Sequence, residues 1–141
     1  MKRLGILAAF GALLFAAVPA SAGGLVARID ISSQTMHVSV NGATRYVWPV
    51  STARFGYVTP TGYYKPVRLE RYWRSRIYNN APMPYAVFFR GGYAIHGTYS
   101  VGSLGRPASH GCVRLNTGNA ATLFSLVSQY GYGNTSIIIS R

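Results

Sequence analysis

Beyond residue 22, apolar positions recur in short alternating runs. Val26, Ile29 and Ile31 form one, ending at Ser32-Ser33; Met36, Val38 and Val40 form the next, ending at Asn41-Gly42. Alternation with a period of two marks strands that bury one face. Asn-Gly between two such runs is a strong hairpin signal, because both central positions of a type I′ turn need positive φ. His37 falls inside the second run and reads as an ordinary strand residue. Residues 54–84 carry no clean period. Pro60, Pro66, Pro82 and Pro84 interrupt them, and Arg68, Arg71, Arg74 and Arg76 interleave with Tyr72, Trp73 and Tyr78. This segment reads as a long loop whose arginines stack on aromatics, or as one wall of a cleft for an anionic substrate. In YAVFFRGGYAIHG, residues 85–97, two strands meet at Gly91-Gly92, and the second ends at His96. Apolar residues at 120, 121, 123, 124, 127 and 130 then follow the helical period. Asn116 or Thr117 is the expected N-cap and Gly131 the stop. NTSIIIS supplies a last strand, expected to be fully buried. The pattern predicts one domain, mostly β, with a single substantial helix.

The first 22 residues follow a different plan. Lys2 and Arg3 precede a nearly unbroken apolar or small run from Leu4 to Val18, and Ala20-Ser21-Ala22 resembles a cleavage site. That is the layout of a secretory signal peptide cut after Ala22, leaving residues 23–141 as the mature domain. The apolar run of roughly fifteen residues falls short of the ~20 a bilayer-spanning helix requires. An exported protein without integral membrane association is therefore expected, in the periplasm or cell envelope.

Charge sharpens the choice of partner. The chain has 14 Lys and Arg against two acids, Asp30 and Glu70. An imbalance of this size bears on partners more than on fold, favouring an anionic surface. Nucleic acid is a poor candidate for an exported protein; an envelope polymer carrying carboxylates, such as peptidoglycan, fits better.

Cys112 is the only cysteine, so an intramolecular disulfide is excluded. Three roles stay open: a small buried hydrophobe, half of an intermolecular bridge, or a working thiol. A thiol becomes a useful nucleophile beside a histidine or oriented backbone dipoles. His96 ends a strand, and His110 stands at i−2, where an extended chain places it on the same face as Cys112. Gly111 lets the backbone approach a substrate and clears the path to the nucleophile, and the amides of residues 110–112 are candidates for an oxyanion hole. Neither Asp30 nor Glu70 is placed to complete a triad, so a backbone carbonyl must orient the base.

IHGT at 95–98, followed by SHGCVRL at 109–115, resembles the signature of the L,D-transpeptidase (YkuD) catalytic domain. The resemblance extends over nearly all of 23–141: IDISSQTMHV is similar to the family's opening strand, STARFGYVTPTGYY to its Thr-Pro-Thr-Gly segment, and NNAPMPYAVFF to the strand before the histidine. The twelve residues between His96 and Ser109 make a slightly shorter span than in many members, and Arg114 stands where many carry asparagine.

The resemblance implies a β-sandwich-like arrangement of mixed sheets with one helix. It also implies Cys112 as nucleophile and His96 as base, oriented by a carbonyl such as that of Gly97. His110, Gly111 and Ser109 would shape the site and its oxyanion hole. Arg114 would hold a substrate carboxylate or support the loop. Apart from the resemblance, Tyr72, Trp73, Tyr78 and Tyr85 read as aromatic walls of the substrate site, with Tyr85 and Trp73 as substrate-binding candidates. No metal or cofactor is required, and a monomer is expected. The implied donor is a peptidoglycan tetrapeptide stem that loses its terminal D-alanine, and the acceptor an amine giving a 3→3 cross-link. Water or the amine of an envelope protein as acceptor would give a carboxypeptidase or a protein-anchoring enzyme by the same thioester. A basic wall-binding protein on an inactive domain is the non-enzymatic alternative.

Overall fold

A computed structural model describes residues 24–141; the signal-peptide reading lies outside them. The first sheet has the order β3-β2-β1-β9-β4, built from β1 (Leu25–Asp30), β2 (Thr35–Val40), β3 (Ala43–Pro49), β4 (Gly62–Tyr64) and β9 (Thr135–Ser140). The second has the order β5-β6-β7-β8, built from β5 (Arg68–Arg74), β6 (Pro82–Arg90), β7 (Tyr93–Thr98) and β8 (Val113–Asn116). Each sheet contains one parallel pair, β1 with β9 and β7 with β8, among antiparallel neighbours. The architecture is thus mostly β, with two mixed sheets and one helix, as the alternation and the resemblance led one to expect.

Local signals act as their chemistry dictates. Asn41 and Gly42 join β2 to β3 with φ of 50° and 82°, the left-handed pair a type I′ turn needs. The helix α1 (Thr117–Tyr130) starts at Asn116, whose side chain accepts the Gly118 amide at 2.9 Å. It stops at Gly131, whose amide reaches the Val127 carbonyl at 2.8 Å. Ala120, Leu123 and Val127 form its buried stripe. They join Leu25, Ile29, Met36 and Val38 of the first sheet, and Val87, Ile95, Val113 and Leu115 of the second, in one core. Each fully buried Leu, Ile or Val there contributes about 1.5–3 kcal/mol.

Two expectations change. Residues 54–84 are not one long loop: β4 pairs with β9, and β5 runs along β6 for its whole length. β5 lies at a sheet edge, so its exposure does not alternate cleanly, which is why no period was visible. β9 is not buried on both faces: Ile137 and Ile139 are buried, whereas Ile138 is partly exposed beside the exposed Tyr63. Among the described residues no layer covers Ile138 on the outer face of the first sheet, so the strand alternates despite its apolar sequence.

Candidate active site

The site follows from the β7–β8 register. Ile95 lies across from Val113, His96 from Arg114 and Gly97 from Leu115. Ile95, Val113 and Leu115 point into the core, and side chains alternate along a strand. His96, Arg114 and Cys112 therefore share the opposite face of the second sheet. There Met83, Ala86, Phe88 and Ala94 form a second apolar cluster, with Cys112 packed against it. Over this face opens a cavity of about 510 Å³ lined by Cys112, His96, Arg114, Ser109, His110 and Tyr78, among others.

His96 is 6 % exposed. Its Nδ1 lies 2.7 Å from the Gly97 carbonyl oxygen; a carbonyl can only accept, so Nδ1 carries the proton and Nε2 presents a lone pair. Burial pushes the imidazole pKa down to about 4, the Gly97 carbonyl opposing this and the Arg114 charge adding to it. Cys112 places Sγ 3.8 Å from the Gly92 carbonyl. Burial pushes its thiol up, countered in part by the Ala94 amide and by Arg114. Burial penalises the charged form of each group and so favours the thiol and the neutral imidazole.

The glycine-rich loop is stapled from inside. Ser109 is fully buried; its hydroxyl donates to the Cys112 carbonyl at 2.6 Å and accepts the Gly111 amide at 3.0 Å. The Gly111 amide is thereby engaged within the loop, unlike the free oxyanion donor expected from sequence. Gly111 has φ of +135°, and a Cβ there would lie 2.7 Å from Tyr93 Cε1 and 2.9 Å from the Val58 carbonyl oxygen. Packing against Tyr93 and Val58 demands this glycine. Gly97 likewise admits the start of α1: a Cβ would meet Thr117 Cα at 2.9 Å.

His110 is not placed as a free base. Its ring stacks on Tyr78 at 4.1 Å and 10°, and meets Tyr57 edge-on at 4.8 Å, joining the 54–58 and 75–81 segments. Partial burial and the charges of Arg54 and Arg114 lower its pKa. Arg114 is partly buried; its Nη1 donates to the Ala108 carbonyl at 3.4 Å, and its backbone exchanges both hydrogen bonds with Ser51. Trp73 and Tyr85 do not line the cavity. Trp73 packs edge-on against Phe88, and Tyr85 against Phe124 of α1. Tyr85 has φ of +53°, a conformation costly for an aromatic residue, and its ring goes to the core side. The aromatics that do face the cavity are Tyr78, Tyr93 and Tyr99.

Sequence reasoning missed the supports behind the loop. Thr59 is buried, donates to the Gly111 carbonyl at 2.8 Å and accepts the Ala53 amide. Gln34 bonds Thr52 through both ends of its amide, at 2.6 and 2.9 Å. Thr52 in turn accepts the amides of Ala108 and Ser109. Only the Thr-Pro-Thr-Gly match hinted at Thr59; nothing local marked Gln34. Among the described residues no group of three or more His, Cys, Asp or Glu side chains is placed to hold a metal ion, and no helix is long and apolar enough to cross a membrane.

Known proteins share this fold. The L,D-transpeptidase catalytic domain family, YkuD, matches residues 25–139. The Bacillus subtilis protein YkuD, assigned as an L,D-transpeptidase, is 25 % identical over 117 residues, 80 % of this chain and 64 % of its own length. The structure of an L,D-transpeptidase from Mycobacterium smegmatis superposes with a TM-score of 0.75 at 25 % identity, covering 84 % of this chain and 59 % of that one. An L,D-transpeptidase solved in complex with imipenem gives 0.72 at 30 % identity, covering 83 % and 59 %. The chain thus spans about three fifths of the length of these relatives. With the match running from the first strand to the last, this chain belongs to the L,D-transpeptidase (YkuD) catalytic domain family.

Proposed function

We propose that this chain is an exported L,D-transpeptidase that acts on peptidoglycan tetrapeptide stems through a Cys112 thioester. The observation that carries the reading is the shared face of His96 and Cys112 beside one cavity, with His96 Nδ1 held by Gly97. His96 Nε2 takes the thiol proton as Sγ attacks the carbonyl of the third stem residue. Because both groups rest neutral, proton transfer accompanies attack and no ion pair forms beforehand. The amides of His110 and Cys112 receive the oxyanion, since Ser109 holds that of Gly111. Collapse breaks the bond to the terminal D-alanine, whose amine leaves with the proton from His96. The thioester is then attacked by an acceptor amine, His96 takes a proton from that amine, and Cys112 regains its thiol. The 3→3 cross-link is the product with a stem amine as acceptor. Arg114, charged and at the cavity wall, pairs with a substrate carboxylate. The protein acts as a monomer in the periplasm or envelope, needs no cofactor, and reads no nucleic acid.

The imipenem complex of a 30 % identical relative supports a direct test. Intact-mass measurement should show one carbapenem adduct per chain, absent in Cys112→Ala, and tetrapeptide plus amine should give cross-linked product in excess of tripeptide. An adduct that persists in Cys112→Ala would exclude the assignment, and tripeptide alone would make water the acceptor.

A further inference from the structure

The edge strand β5 carries a chemistry the catalytic reading does not use. Arg68, Arg71, Arg74 and Arg76 fall within nine residues, opposed by one acid, Glu70, whose carboxylate lies 3.9 Å from Arg68 with both groups exposed. Such a surface pair contributes little. The arginines are nevertheless ordered. Arg68 lies over Phe88 at 4.1 Å and over Trp73 at 4.5 Å; Arg76 covers the same indole at 4.9 Å; Arg71 stands 5.7 Å from the Tyr85 ring. Arg74 is tied through Nη1 to the Asn80 carbonyl at 3.1 Å.

A guanidinium lying over an aromatic face keeps N–H groups with which to take a carboxylate; Arg68, between two rings 83° apart, lies flat on at most one of them. Stacking also removes side-chain freedom in advance, so less entropy is lost when an anion binds. Four like charges, three on β5 and Arg76 two residues beyond it, with one exposed carboxylate for relief, raise the local potential further.

Position completes the argument. Trp73 is the cross-strand partner of Met83, and Ser75, just past β5, lines the cavity together with Met83. The arginine row therefore leads from the cavity rim along the sheet edge for roughly 20 Å at strand rise. We infer that the β5 edge is an anion-binding ledge for a carboxylate polymer, holding further stem peptides of the wall outside the cavity while one stem occupies it. The inference rests on the proposed substrate for the identity of the polymer. A nucleic acid fits poorly, because the indole on which a base would stack is already covered by two guanidiniums.

The experiment titrates the purified protein with poly-L-glutamate and with isolated sacculi at low and physiological salt. Joint replacement of Arg68, Arg71, Arg74 and Arg76 by Gln should weaken both by about tenfold or more at low salt. A charge-matched control, Arg28, Arg45, Arg106 and Arg141 to Gln, should lose far less. Replacing the same four arginines by Lys keeps the charge, guards against misfolding, and should still weaken binding several-fold. Equal losses in the β5 and control sets, no loss in the Gln set, or no loss in the Lys set would each overturn the ledge. Tighter binding of oligothymidylate than of poly-L-glutamate would overturn the choice of polymer. Poly-L-glutamate offers no acyl donor to Cys112, so this result is separate from carbapenem labelling, which tests the catalytic reading alone.

Discussion

His96 and Arg114 face each other across the parallel β7–β8 ladder, on the sheet face that also carries Cys112. A fixed guanidinium charge thus stands beside both His96 and Cys112. It lowers the proton affinity of the imidazole and of the thiol alike, favouring thiolate while opposing imidazolium. Exchanging the charge for a neutral side chain should move both titrations upward.

For Arg114→Gln, the acid limb of Cys112 acylation by a carbapenem should shift to higher pH. In the proposed mechanism His96 serves as a base only when neutral, so activity should fall as pH drops through its pKa, about 4 with Arg114 in place. The basic limb should move up as well, with the thiol. A pH–rate profile with both limbs unmoved would show that the charge does not reach the pair.

The two histidines should separate cleanly. His96→Gln should slow acylation by about 10²–10⁴-fold with the domain folded, the range for loss of a general base. His110→Phe keeps an aromatic ring between Tyr57 and Tyr78 and should retain most of the rate, whereas His110→Ala should lose more by releasing the two segments. A His110→Phe variant as slow as His96→Gln would make His110 the base.

Burial of His96 also makes stability depend on pH. Its folded pKa, about 4, lies below the ordinary value of 6.5, so between these values the unfolded chain binds the extra proton. Stability contributed by the neutral imidazole is fully present above about pH 6.5 and declines as pH falls toward 4, by on the order of 3 kcal/mol in total. Urea midpoints measured from pH 7.5 to 4 should show this decline in the wild type and a flatter one in His96→Gln. Equal slopes would place the acid sensitivity elsewhere.

The loop behind Cys112 should be sensitive to a single methyl group. Gly111→Ala meets both a φ of +135° and backbone at 2.9 Å, and should cost about 2–4 kcal/mol. Gly105→Ala has φ of +91° but open space around its Cβ, and should cost only about 1 kcal/mol. Ser109→Ala removes two buried hydrogen bonds and should cost about 1–3 kcal/mol while slowing acylation. Comparable denaturation midpoints for the two glycine variants would contradict the packing account.

What the chain announces by itself is what short-range chemistry controls. Asn41-Gly42 makes its turn, and Asn116 and Gly131 bound α1, because capping and left-handed φ are satisfied within a few residues. His96 and Cys112 stood out through the motif around them. Their place on one sheet face beside one cavity did not, since it depends on a parallel ladder between strands joined by a long excursion. Tertiary structure alone decided that Trp73 and Tyr85 pack against Phe88 and Phe124 and do not line the cavity, that β5 forms an edge, and that Ile138 stays partly exposed. It also recruited Gln34 and Thr52 to hold the loop that carries Cys112, across a distance no local pattern encodes. Side-chain period describes how a strand faces its neighbours, but which neighbour it meets is set by pairing across the whole fold.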